Sequence, residues 1–215
     1  MKLATPAMLV VGLSALLSAD PLLAQWTPVV AKIRQTHQTV VSGKVVRNET
    51  KEGEFYRSSD GSVLRHWKTV NGDEGAAGQG DLLDNKKHAF YNLNYNTKRA
   101  YQVRTGIPQP SPYVFSKETL QSRGEESIEG VRCTIVPVDT ADSGVTERDA
   151  GRSCVSSEYG LQLRTEVTVK QGGTEHRTLI EMYDLRINQE PDPKIFDLGS
   201  QFTVFKAEPP KAPPN

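Results

Sequence analysis

Leu161-Gln162-Leu163-Arg164-Thr165-Glu166-Val167-Thr168-Val169-Lys170 is the stretch that decides how this chain is read. Its odd positions are Leu, Leu, Thr, Val and Val, and its even positions are Gln, Arg, Glu, Thr and Lys. Strict period-two alternation sets one face against a core and the other in water. That is the pattern of an antiparallel strand with one solvated face. Gln171-Gly172-Gly173-Thr174 follows, and Gly-Gly supplies the positive φ angles of a two-residue hairpin turn.

Outward from that strand, Ile128 to Asn188 reads as three antiparallel strands. The first is Val131–Val138. The second begins at Arg152-Ser153-Cys154-Val155 and continues through Leu161–Lys170. The third is Thr178–Ile187. In the third, Leu179, Tyr183, Leu185 and Ile187 share one parity, while Ile180 and Met182 take the other. A bulge, or partial cover on both faces, accounts for that. Ser127-Ile128-Glu129-Gly130-Val131 reads as a tight turn with Gly130 at the positive-φ position.

The 215 residues suit one domain, placed at 26–206. A chain of this size buries roughly 70% of its unfolded surface and needs no metal to fold. The 26 basic and 26 acidic residues balance, so nothing favours nucleic acid or an anionic membrane surface as a partner. Met1 to about Gln25 has the form of a secretory signal peptide. Lys2 is the basic start, Ala7 to Leu17 the apolar core, and cleavage is expected after Ala24 or Gln25. The apolar run is shorter than the about 20 residues of a spanning helix, and no later segment is long enough. The mature chain is therefore expected in the periplasm or outside the cell.

Export permits a disulfide. The two cysteines, Cys133 and Cys154, come opposite each other if Val131–Val138 pairs with Arg152–Ser157. The other reading is two buried free thiols. No Cys-x-x-Cys motif or zinc-type spacing accompanies them.

In chain order, Thr27 as a cap, Pro28 at the first helical position and Val29, Val30 and Ile33 on one face predict a short N-terminal helix lying on the sheet. Gln38–Glu49 reads as the first strand, with Gly43 marking a bulge. Glu54–Arg57 and Val63–Val70 form a hairpin around Ser59-Asp60-Gly61-Ser62. Asn71–Gly80 is a glycine-rich loop that matches neither the Walker nor the dinucleotide fingerprint. Lys87–Leu93 and Arg99–Val103 form the next hairpin. Thr105–Pro112 is an extended crossover between two halves of the sheet, and Ser116–Ser122 a helical turn or edge segment. Asp192 caps a short helix opened by Pro193, Phe196 and Leu198 enter the core, and Gln201–Phe205 is a last strand. Residues 207–215, with four prolines, form a disordered tail.

Several of these motifs together resemble a known family. They are Glu129-Gly130-Val131-Arg132-Cys133, the Ser157 to Glu166 run, Pro191-Asp192-Pro193-Lys194-Ile195-Phe196, and the hairpin from Tyr91-Asn92-Leu93-Asn94 to Lys98-Arg99-Ala100-Tyr101. The chain is similar to a family of exported bacterial proteins frequent in soil bacteria such as acidobacteria. More distantly it is similar to the periplasmic lipoprotein-carrier, or LolA-like, superfamily. The resemblance implies a mainly β fold: a curved antiparallel half-barrel with an N-terminal helix, an apolar concave face, and binding of acyl chains or hydrophobic peptides. No motif places the arginine that true carriers use, so no functional residue is carried over.

No catalytic motif is present. His37, His66, His88 and His176 do not fall at metal spacing, no Gly-x-Ser-x-Gly elbow occurs, and the carboxylates alternate with basic residues along strands. Neither catalysis nor a cofactor or metal is expected. Trp67, Tyr91 and Tyr101 are the candidates to line a ligand groove, with cross-strand packing as the plainer role. The leading expectation is a non-enzymatic envelope binding or carrier protein for a lipid-like or hydrophobic ligand. The alternative is an interaction module that recognises an envelope protein by a sheet edge or groove.

Overall fold

The computed structural model describes residues 26–71, 78–105, 123–138 and 151–206. The signal peptide, residues 106–112 of the crossover, the 116–122 segment and the proline-rich tail lie outside them. Twelve strands form one open, curved sheet. The first six are β1 (Val29–Val41), β2 (Lys44–Arg57), β3 (Val63–Asn71), β4 (Gln79–Asp84), β5 (Ala89–Asn94) and β6 (Arg99–Thr105). The rest are β7 (Glu125–Ile128), β8 (Val131–Val138), β9 (Gly151–Ser156), β10 (Leu161–Gln171), β11 (Thr174–Ile187) and β12 (Thr203–Phe205).

The order across the sheet is β12-β6-β5-β4-β3-β2-β1-β11-β10-β9-β8-β7. β1 to β6 meander from the centre to one side. β7, at the opposite edge, starts a second meander that returns to the centre, where β11 pairs with β1. β6 and β7 thus stand far apart in the sheet, as a crossover requires. Neighbouring strands are antiparallel except β12, which runs parallel to β6.

The expected N-terminal helix is a strand. β1 is rich in β-branched residues and pairs along its length with β2 on one side and β11 on the other. Those two ladders satisfy its backbone and bury Val29, Ala31 and Ile33 on one face, so tertiary pairing overrides the helical cap signals. Gly43 is not a bulge. With Ser42 it forms a two-residue turn, both at positive φ (49° and 77°), so the first strand ends at Val41 and β2 begins at Lys44. The expected second strand is two strands, β9 and β10, broken by the turn at Ser157–Gly160. Part of the glycine-rich loop belongs to β4, where Gly80 lies against the Arg65 backbone too closely to admit a Cβ.

Other expectations match. Gly172 and Gly173, at φ 56° and 81°, turn β10 into β11. The mixed parity of β11 is a bulge: the register against β1 shifts opposite Val30/Lys32, and Asp184 sits at φ 52°. Asp192 caps a 3-10 turn at Pro193–Phe196, with its carboxylate accepting from the Lys194 N–H at 2.9 Å. A short helix, α1 (Leu198–Gln201), then leads to β12.

Among the described residues the sheet carries two apolar clusters. The inner face gathers Val29, Ile33, Phe55, Leu161, Leu163 and Met182 with the cysteines. The outer face at the β3–β6 side gathers Leu64, Leu82, Tyr91 and Leu93 beneath Leu198 and Phe202 of the C-terminal segment. Cys133 and Cys154 form a disulfide with Cα atoms 5.3 Å apart. Cys154 lies opposite Ile135, so the bridge is diagonal rather than between directly facing positions.

Candidate functional site

Along β2, Phe55 faces inward, and so therefore does Arg57, the register partner of Val29 and Val63. Arg57 is only 1% exposed. Its Nε donates to the Thr27 carbonyl at 2.9 Å, Nη1 to Gly160 at 3.0 Å and Nη2 to Tyr159 at 2.6 Å. The Trp26 ring lies 5.7 Å from the guanidinium. Burial lowers its pKa to about 10, which leaves it charged at neutral pH. Three carbonyl acceptors and one aromatic ring replace the lost water, so Arg57 ties the start of β1 to the β9–β10 turn.

Along β1 the inner face changes character. Val29, Ala31 and Ile33 are buried among apolar neighbours, and Gln35, His37 and Thr39 continue the same parity. His37 stands opposite Glu49 on β2 and Thr178 on β11, and its ring stacks on His176 at 5.7 Å. Gln35, His37, Glu49 and Lys51 line a cavity of about 160 Å³. Among the described residues, no three His, Cys, Asp or Glu side chains are arranged to hold a metal ion.

A second cleft, of about 310 Å³, opens where the β2–β3 and β4–β5 turns meet the C-terminal segment. Asp60, Asp84, Lys86, Lys87, Glu190 and Phe196 are among its lining residues. Its charges are mutually satisfied: Asp60 pairs with Lys86 at 3.0 Å, Asp84 with Lys87 at 2.9 Å, and Glu190 accepts from the Ser59 N–H. Burial raises the Asp60 pKa, but hydrogen bonds from the Ser58 hydroxyl, the Ser62 N–H and Lys86 outweigh it and hold the group at about 2. Polar and charged side chains thus make up most of the lining of both cavities, with Pro193 and Phe196 the apolar part of the larger one.

The sequence-predicted aromatics do not converge. Trp67 packs half-buried against the inner cluster. Tyr91 is buried in the outer one. Tyr101 has the inner parity, because Arg65, Asp81, Asn92 and Tyr101 face one another across β3 to β6, but it sits near the sheet edge and is 45% exposed. There its ring stacks on Phe205 of β12 at 5.2 Å, and the Arg99 guanidinium lies 5.7 Å from the Phe205 ring. Val103, Val204 and Phe205 are also exposed, so this edge carries an exposed apolar and aromatic patch. The strand signal at Gln201–Phe205 was readable, but nothing local shows which edge it joins. Arg57 was readable in principle as a charge on the parity of Phe55.

No protein-family model matches the sequence, and no curated protein matches it. The chain is similar to solved structures. One is a DUF1329 family protein from Desulfovibrio piger (12% identity, 81% of this chain and 91% of that one, TM-score 0.37). Another is a LolA superfamily protein from Nitrosomonas europaea (10% identity, 80% and 90%, TM-score 0.36). A third is the MucA/MucB complex of Pseudomonas aeruginosa (16% identity, TM-score 0.40), in which 86% of this chain matches 62% of the other.

Proposed function

We propose that this chain is an exported, non-catalytic binding protein of the cell envelope that takes a lipid-like or otherwise hydrophobic ligand. The observation that carries the reading is the inner face. One apolar cluster runs from Leu83 and Phe90 on one meander to Ile128 and Cys133 on the other, its buried members all on strands. A face of that composition receives an acyl chain or apolar segment once its half-buried members, such as Trp67, Phe90 and Ile135, move apart. No described helix is long and apolar enough to cross a membrane. Trp67 reports on the site. In a Trp26→Phe background, titration with a long-chain fatty acid is expected to shift Trp67 emission saturably. An unchanged spectrum across the titration contradicts the reading.

One observation favours a protein partner instead. At the sheet edge Tyr101 and Phe205 are exposed on one face and Val204 on the other, with Val103 beside them, apart from any described cavity.

A further inference from the structure

The two edges of the sheet are built differently. β7 closes one edge with Glu125 and Glu126, charges that discourage another strand from adding there. β12 closes the other edge with exposed Thr203, Val204 and Phe205. The Thr203 N–H donates to the Lys98 carbonyl at 2.8 Å, so Thr203 and Phe205 turn their backbone groups toward β6, and Val204 turns its own outward. β12 also covers only Arg99–Tyr101, so Gln102–Thr105 of β6 pair with β5 on one side and meet no described strand on the other.

Cations without a described carboxylate partner also gather at this edge. Most cations on the sheet are ion-paired, as Arg34 is with Glu52 and Lys68 with Glu54. Lys98, Arg99 and Lys206 are exposed and meet no carboxylate among the described residues. Lys98 lies near the Tyr95 and Phe202 rings, and Arg99 near the Phe205 ring.

We propose that the outer edge of β12 is a strand-addition site for an extended peptide carrying acidic and apolar side chains. The proposal rests on the protein-partner reading above and is independent of a lipid on the inner face. A peptide strand satisfies the outward N–H and C=O of Val204, sets an apolar side chain on the Tyr101–Phe205 stack, and brings carboxylates to Lys98, Arg99 and Lys206. A second copy of this chain does not fit, because β12 against β12 would oppose Lys98, Arg99 and Lys206 to their own counterparts. A lipid surface supplies anions but no backbone partner for Val204.

The test is fluorescence anisotropy of the full mature protein with a labelled, end-capped Glu-Phe-Glu-Val-Glu-Val peptide, its Lys-for-Glu counterpart, and phosphatidylglycerol vesicles as a separate arm. The acidic peptide is expected to bind and the basic one not. Arg99→Glu is expected to weaken binding about tenfold or more. Val204→Pro removes the outward N–H without taking a donor from the β6 ladder, and is expected to abolish binding while the circular dichroism spectrum is retained. No binding of the acidic peptide overturns the proposal, and so does equal binding of both peptides. Should Val204→Pro disturb the fold, Arg99→Glu alone decides: unchanged affinity overturns the proposal. Vesicle binding without peptide binding overturns it in favour of a lipid surface. A fatty-acid response at Trp67 stands or falls separately, so failure of one reading is not mistaken for failure of the other.

Discussion

Arg57 Nη2 donates to the Tyr159 carbonyl oxygen at 2.6 Å across 102 residues of sequence. With the bonds to Thr27 and Gly160, it joins the two meanders near the start of β1. Arg57→Met keeps most of the volume and leaves three carbonyls without that donor. The variant is expected to lose about 2 kcal/mol in urea unfolding. Arg57→Lys is expected to recover only part, since an ammonium lacks the planar fork. A Met variant as stable as the parent contradicts the clamp.

The disulfide closes β8 onto β9 with a sequence separation of 21 residues. In the chain-entropy account a loop of that size is worth about 3 kcal/mol. The paired Cys133→Ser and Cys154→Ser substitutions are expected to lower the urea midpoint accordingly, and reductant to have no further effect on that variant. Equal midpoints for parent and variant contradict this.

Asp60 gives the turn at Ser59–Ser62 an acid-sensitive component. Its folded pKa of about 2 lies below the ordinary carboxylate value. The stability it contributes is therefore present above about pH 4 and is lost as pH falls through about 2. The side chain is 30% exposed, so solvent screening limits the contribution to about 1 kcal/mol. Asp60→Asn is expected to destabilise by that amount at pH 7 and by progressively less as pH falls toward about 2. A constant difference across that range contradicts the assignment.

His66 moves the other way from a paired histidine. Burial lowers its pKa first, the Lys68 and Lys98 charges add to that, and Glu54 opposes them. Its ring stacks on Tyr95 at 3.6 Å. The unfolded chain takes up the proton at higher pH, so stability falls as pH drops below about 6.5 toward the folded value. An NMR titration of the His66 ring is expected to give a midpoint below about 6.5, and one above it refutes the direction.

Period-two alternation in Leu161–Lys170 and the turn residues at Gly172–Gly173 and Glu129–Gly130 were enough to reveal an antiparallel sheet, because those signals are local, whereas its curvature was implied only by the family resemblance. β1 was misread because Thr27-Pro28 and the spacing of Val29, Val30 and Ile33 fit a helix locally, whereas its β conformation comes from β2 and from β11, far away in sequence. The break between β9 and β10 was missed for a related reason: Ser157–Gly160 lacks a strong turn dipeptide, and strand register decides it. Trp67, Tyr91 and Tyr101 were chosen by residue type. Only register shows that Tyr91 belongs to the other face and that Tyr101 meets Phe205. The pairing of β12 with β6 joins segments about a hundred residues apart, and nothing in either segment encodes it.

Native mass spectrometry of the mature protein, purified from a periplasm and then extracted with organic solvent, tests the central claim most directly. The account predicts a stoichiometric extra mass that passes into the organic phase as a lipid-like molecule. A clean apo mass, at the value for the closed Cys133–Cys154 bridge and with an empty extract, would contradict it.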